Sequence, residues 1–244
     1  MRHQYDLWSV ALALEETGAH ARLTKKIRQV VSVASAHHDL IQARDALEAL
    51  SVLMAQQSQA AEPGTTVSAA LFAHSVILYA RATETKPIDR WNWFGKGILS
   101  GEFASWHEDV MNYRNWVVAH FGHGDHQDNG PSVVHSLGMS EPAQPSWNIE
   151  ITYIQTRAQT RSTIVQKLKA LVPTLIDISV DRYQTRCNEL HDELAEAVRA
   201  DRSLPQLIKG HPLNLTSGSN HKHPIDLTKA KWSFLINTDQ GSTA

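Results

Sequence analysis

The chain has 244 residues, with 23 Lys and Arg against 25 Asp and Glu and a formal net charge of −2. This excludes a global basic field that would draw the protein onto nucleic acid, so any RNA contact must come from a local pocket. Hydrophobic residues at 42% allow a real core, the single Cys187 excludes an intrachain disulfide or a multi-cysteine zinc site, and no apolar run is long enough to span a bilayer.

Residues 3–17 read as a short amphipathic helix with Leu7, Val10, Ala11 and Leu14 at helical spacing, ended by Gly18. The apolar run from Leu7 to Leu14 is short and flanked by Asp6 and Glu15-Glu16, so no secretion signal is read and a cytoplasmic location is expected. Residues 22–61 form a long Ala- and Gln-rich helical stretch through Ile27, Val30, Val31, Ala34, Leu40, Ile41, Leu47, Leu50 and Leu53, with His37-His38-Asp39 as a candidate kink. Glu62-Pro63-Gly64 is a turn. Residues 65–84 predict a second helix with Val67, Ala70, Leu71, His74, Ile77 and Leu78 on one face, His74 reading as a satisfied core histidine. The loop 87–99 carries Trp91, Trp93 and Phe94, an aromatic set expected to pack over the edge of the core rather than to form a lid.

The next helix starts at Ser100 or at Ser105, which with Glu108 makes a capping-box pattern, and it stops at Gly122. A polar, glycine-rich stretch follows. Ser132 to Leu137 and Trp147 to Tyr153 read as short strands pairing in an antiparallel hairpin at about 132–155. Residues 156–200 return to helix, with Ile164, Leu168, Leu171, Leu175 and Ile178 in phase and Pro173 as a kink or break. Cys187, in a helical pattern, reads as a half-buried small residue rather than a nucleophile. The expected fold is mainly α: an N-terminal helix at 1–18, a helical bundle at 19–200 with a small β-hairpin inserted before its last long helix, and an irregular extension at 201–244.

Chemistry concentrates in Met111-Asn112-Tyr113-Arg114-Asn115-Trp116-Val117-Val118-Ala119-His120. An arginine grips phosphate through forked, charge-assisted hydrogen bonds, and a histidine moves protons near neutral pH. Arg114 and His120 lie six positions apart, roughly 120° around a helix at about 100° per residue. A straight helix does not pair them. Either the long arginine swings round, or two copies pack antiparallel about a twofold axis and share a composite cleft.

This segment resembles the signature of the HEPN superfamily, with Arg114, Asn115 and His120 matching the motif's arginine, following polar residue and histidine. The residue-level resemblance covers about 106–122 and the fold-level match roughly 20–200. It implies a HEPN-like bundle that dimerises along the motif helix and cleaves RNA without a metal or other cofactor. It also implies a role in defence, toxicity or stress, with room for an antitoxin or other partner protein. On that reading Arg114 stabilises charge on the phosphoryl oxygens, Asn115 orients the phosphate or the imidazole, and His120 acts as general acid or base. One subgroup of HEPN toxins has a tyrosine shortly after the histidine that a nucleotidyltransferase partner modifies. Phe121-Gly122-His123-Gly124 stands here instead, so that arrangement is not expected.

Two other readings stay open. The runner-up is an inactive HEPN-like module that binds a partner or nucleotide. Alternatively His120, His123, Asp125 and His126, joined by His74 or His107 from other helices, supply imidazole and carboxylate ligands for a metal-dependent enzyme. The flexible glycines between those ligands make a solvated loop the better reading of that cluster. Asp109 and Glu108 are candidates to tune Arg114, Glu108 being better explained as a capping partner, and Lys86, Arg90 and Lys96 are candidates to rim an RNA cleft.

Overall fold

The structure is a computed structural model that describes residues 4–57, 66–84, 93–95, 97–115, 133–140, 150–157 and 162–213. Helix α1 spans Leu7–Thr17. It starts at Leu7 rather than at residue 3 because Asp6 caps it. The Asp6 carboxylate accepts from the N–H groups of Trp8 (3.0 Å) and Ser9 (3.3 Å) and from the Ser9 hydroxyl (2.6 Å). Gly18 ends it in the left-handed conformation, φ 68°, with its N–H on the Glu15 carbonyl.

Helix α2 runs unbroken over Ala21–Gln57. The expected kink at His37-His38-Asp39 is instead a pinning point, with His37 bonded to Ser179 (2.8 Å) and Asp39 gripped by Arg81. Residues 58–61 of the expected helix lie outside the described residues.

Helix α3 covers Thr66–Thr83, and it buries only part of the face the hydropathy pattern indicates: Leu78 is buried and Leu71 packs against the core. Phe72, Val76, Tyr79 and Ala82 are buried with Ser68, Ser75 and Thr83, whereas Val67 (56% exposed), Ile77 (45%) and His74 face solvent. The core-histidine expectation for His74 is therefore overturned. Hydroxyl groups can sit inward here because they bond back to their own helix: Ser75 Oγ donates to the Phe72 carbonyl (2.7 Å) and Thr83 Oγ1 to that of Tyr79 (2.9 Å).

Trp93 is buried at the edge of the core, its indole N–H on the Ala82 carbonyl (2.6 Å) and its own carbonyl held by Arg182. Phe94 packs beside it. Trp91 lies outside the described residues. Helix α4 spans Glu102–Tyr113. Its start corrects both expected starts: Gly101 occupies the N-cap at φ 58°, no side chain caps the helix, and Ser105 and Glu108 sit within it. A positive φ of this kind suits glycine and not serine.

Strands β1 (Val133–Ser140) and β2 (Glu150–Arg157) pair antiparallel, from Val133 opposite Arg157 to Ser140 opposite Glu150. Helix α5 then runs over Ser162–Ala200, continuing through Pro173 rather than splitting there. Leu168, Leu171, Val172 and Leu175 are buried around that proline, and their packing outweighs the roughly 3 kcal/mol that a proline costs in a helix interior. Helix α6, Leu204–Lys209, lies in the segment expected to be irregular, with a proline in its first turn.

Ion pairs and ring contacts give the helix directions. Arg22 meets Glu193 (2.8 Å), Lys26 meets Glu189 (2.7 Å) and His37 meets Ser179, so α2 and α5 are antiparallel. Phe72 touches Tyr113 and Tyr79 touches His107, so α3 and α4 are antiparallel. The main core joins α2, α3, α4 and α5 through residues such as Leu40, Leu47, Phe72, Tyr79, Val110, Leu168 and Leu171. A second apolar cluster joins α1, the start of α2, the end of α5 and α6 through Val10, Leu14, Leu23, Ile27, Leu190 and Leu204. There the chain entering α1 meets the chain leaving α6: Asp6 N–H donates to the His211 carbonyl (2.8 Å) and Leu213 N–H to that of Gln4 (2.9 Å). Among the described residues no helix is long and apolar enough to cross a membrane.

Candidate functional site

Helix α4 positions the candidate residues. Its inward face carries Phe103, Trp106, Val110, Met111 and Tyr113, packed in or against the main core. At about 100° per residue, His107, Val110 and Arg114 fall on one stripe of that face, and Asn115 lies beside it. Arg114 keeps right-handed helical geometry (φ −56°, ψ −47°), and its N–H reaches the carbonyls of Val110 and Met111. At Arg114 and Asn115 the helix widens into a π-type turn, a local distortion frequent at functional positions.

The two side chains meet. Arg114 Nη1 donates to Asn115 Oδ1 at 2.9 Å, and both residues are half-buried. That bond engages one of the guanidinium's five N–H donors and fixes one edge of the planar fork. An arginine held this way can present its other edge to a phosphate. His120 lies outside the described residues, as do His123, Asp125 and His126 and the basic residues Lys86, Arg90 and Lys96. The structure thus brings Arg114 to Asn115.

The acidic neighbours do not turn to Arg114. Asp109 accepts from Lys167 Nζ at 2.5 Å, which ties α4 to α5. Glu108 is exposed in mid-helix, so it is not a capping partner. Cys187 is half-buried, and burial raises its thiol pKa despite a bond from Tyr183. Among the described residues no group of three or more His, Cys, Asp and Glu could hold a metal ion.

One polar cluster on α4 escaped the sequence reading as a unit. His107 Nδ1 lies 2.8 Å from the Tyr79 hydroxyl, and its Nε2 lies 3.6 Å from Glu84 Oε1. The Phe94 ring stands 5.1 Å from the imidazole. Burial pulls the His107 pKa below its ordinary 6.5, opposed by Glu84 and then Glu108. Burial likewise drives the Tyr79 phenol far upward. His107 shares the helical spacing of Val110 and Met111, which marked it as inward-facing; its partners come from another helix and had no local signal.

Comparison of the chain with models of protein families, with curated proteins and with solved structures finds no match.

Proposed function

We propose that this protein is a metal-independent endoribonuclease of HEPN type, a helical bundle with a hairpin inserted before its last long helix, working as a homodimer in the cytoplasm. The observation that carries the reading is the Arg114–Asn115 pair, two adjacent polar side chains bonded to one another at the end of the inward stripe of α4. His120 follows in the same stretch of sequence. In this reaction the RNA 2′-hydroxyl attacks the adjacent phosphorus and the bond to the 5′-oxygen breaks. The products are a 2′,3′-cyclic phosphate and a 5′-hydroxyl. His120 takes the proton from the nucleophile or returns one to the leaving oxygen, and two copies in a dimer share those roles. Arg114 stabilises the charge that builds on the phosphoryl oxygens, and Asn115 holds the guanidinium in place for it. A function in defence or stress, with an antitoxin or other partner, follows from the resemblance alone.

The test is RNA cleavage in excess EDTA by wild type, Arg114→Ala and His120→Ala at matched purity. The proposal expects cleavage by wild type and a loss of about a hundredfold or more in each variant, the usual scale for removing a positioned acid–base or charge-stabilising group. Equal cutting by all three refutes it. Absence of cutting favours a binding module, and cutting that EDTA abolishes favours a metal enzyme built on the His120–His126 segment. Light scattering tests the composite cleft separately, since a strict monomer removes it.

A further inference from the structure

The Tyr79–His107–Glu84 cluster stands two helical turns before Arg114 on the same stripe of α4, and the proposed chemistry makes no use of it. Its atoms define two alternative bonding states. With a carboxylate facing Nε2, the neutral ring carries its proton on that nitrogen, and Nδ1 is left to accept from the Tyr79 hydroxyl at 2.8 Å. Protonation puts a hydrogen on both nitrogens. The Tyr79 oxygen must then accept instead of donate, and its O–H, on a residue with no solvent exposure, loses its acceptor. The same proton gives His107 an ion-pair partner in Glu84. Charge therefore reverses the Tyr79 bond at the cost of a buried phenol O–H without its acceptor, and it favours the ring moving toward Glu84, just past the end of α3.

We infer that His107 is a positioning residue for Arg114: neutral, it locks α4 to Tyr79 in the orientation that presents the Arg114–Asn115 pair, and protonated, it releases that lock in favour of Glu84. This regulation rests on the proposed function for its effect on RNA, but not for its structural part. The lever is short and stiff. His107 and Val110 lie in α4 and Arg114 caps its end, with Asp109 and Lys167 tying the same stretch to α5, so a shift of the ring at His107 is passed along the backbone hydrogen bonds of two turns to Arg114. Among the described residues the charged groups around the ring are few. Helix α3 contributes Tyr79 and Glu84, α4 itself contributes Glu108, and the 93–95 segment presents the apolar Phe94. From α5, Lys167 is taken by Asp109 and Arg182 by the Trp93 carbonyl. The downward pull of burial on His107 agrees with a neutral ring in the resting state.

The test is an NMR titration of the full chain from pH 7.5 to 5, following the His107 ring nitrogens and the Arg114 Nε signal, in wild type, Tyr79→Phe and Glu84→Gln. In wild type the Arg114 signal should shift with the same midpoint as His107. Tyr79→Phe should raise that midpoint, and Glu84→Gln, a change at a largely exposed residue that leaves the core intact, should lower it. An Arg114 signal that ignores the His107 titration overturns the inference, as does a midpoint that Glu84→Gln leaves in place. If RNA cleavage is present, it should fall on acidification with that midpoint, and Glu84→Gln should carry the fall to lower pH. Coupled NMR shifts without any cleavage would leave the positioning intact and refute the nuclease reading alone.

Discussion

Replacing Arg81 by Met should take from the Asp39 carboxylate the guanidinium that grips both its oxygens. Asp39 is 1% exposed in the middle of α2, and both its oxygens are gripped by the guanidinium fork, Nε on Oδ2 at 2.9 Å and Nη2 on Oδ1. Removing one partner of a buried pair costs about 3–5 kcal/mol, because the remaining charge loses the counter-charge that gripped it in a poor solvent. The Arg81 side chain is itself 47% exposed, so water screens part of the pair and the lower end, about 3 kcal/mol, applies. For a chain of this size each kcal/mol moves Tm by about 2–4 °C, which gives a fall of about 6–12 °C. Urea unfolding of wild type, Arg81→Met, Asp39→Asn and the double variant closes a thermodynamic cycle. The double variant should recover part of the Arg81→Met loss, since no carboxylate remains to lose its counter-charge. Arg81→Met within about 1 °C of wild type, or additive single effects in the cycle, would refute the reasoning.

Three further outcomes follow from the same structure. Asp6→Ala should cost about 1 kcal/mol through loss of the α1 cap; the Ser9 hydroxyl bond holds the Asp6 carboxyl below its ordinary 3.8, so the cap is complete above that pH and fades as pH falls through the lowered value, and urea midpoints of the two proteins should converge in acid. Pro173→Ala should stabilise by about 1–3 kcal/mol, because it restores an N–H to the interior of an unbroken α5; a lower Tm for the variant would show that α5 depends on the proline. His37 and His107 both have pKa values lowered from 6.5 by burial, so the unfolded chain binds more protons than the folded one below that pH, and stability present above pH 6.5 should be lost on acidification; a flat urea midpoint between pH 7.5 and 5 would contradict this.

The helices were legible where burial and hydropathy agree and misread where they part. In α1, Val10, Ala11 and Leu14 are apolar and buried alike, and Gly18 marks its end in the residue itself. In α3 the apolar Leu78 is buried as its spacing suggests, but Val67 and Ile77 are exposed while Ser68 and Ser75 are buried, so a hydropathy pattern selects the face only in part. Hydroxyl groups that bond to the preceding turn, as Ser75 does, remove their own desolvation cost, and composition alone does not register that. The expected capping box at Ser105 failed for a related reason: the pattern was present, but Gly101 begins the helix a turn earlier. Pro173 signalled a break that long-range packing by Leu171 and Leu175 overrode. Arg114 and Asn115 were legible as a pair because they are adjacent in the chain. The Tyr79–His107 bond joins residues 28 positions apart, and Asp39–Arg81 joins residues 42 apart, distances over which no local pattern speaks.

The same contacts bear on whether a metal centre could form at the His120–His126 segment. A bundle-core metal centre would need a rigid ligand from a neighbouring helix to join that segment, and His74 and His107 were the candidates. His74 faces solvent on α3. His107 has Nδ1 committed to Tyr79, and its Nε2 faces Glu84. A metal could take His107 only by displacing one of those partners, leaving either a fully buried phenol without its acceptor or a carboxylate that must join the coordination shell. Phosphate chemistry asks for less. It needs an arginine whose orientation is set before substrate arrives, and the bond to Asn115 supplies that within two consecutive residues. An Arg114→Lys substitution separates the two accounts. Lysine keeps the charge and loses the planar fork and the Asn115 geometry, so an RNA-cleaving site should lose most of its rate, whereas a metal centre on the His120–His126 segment should keep it.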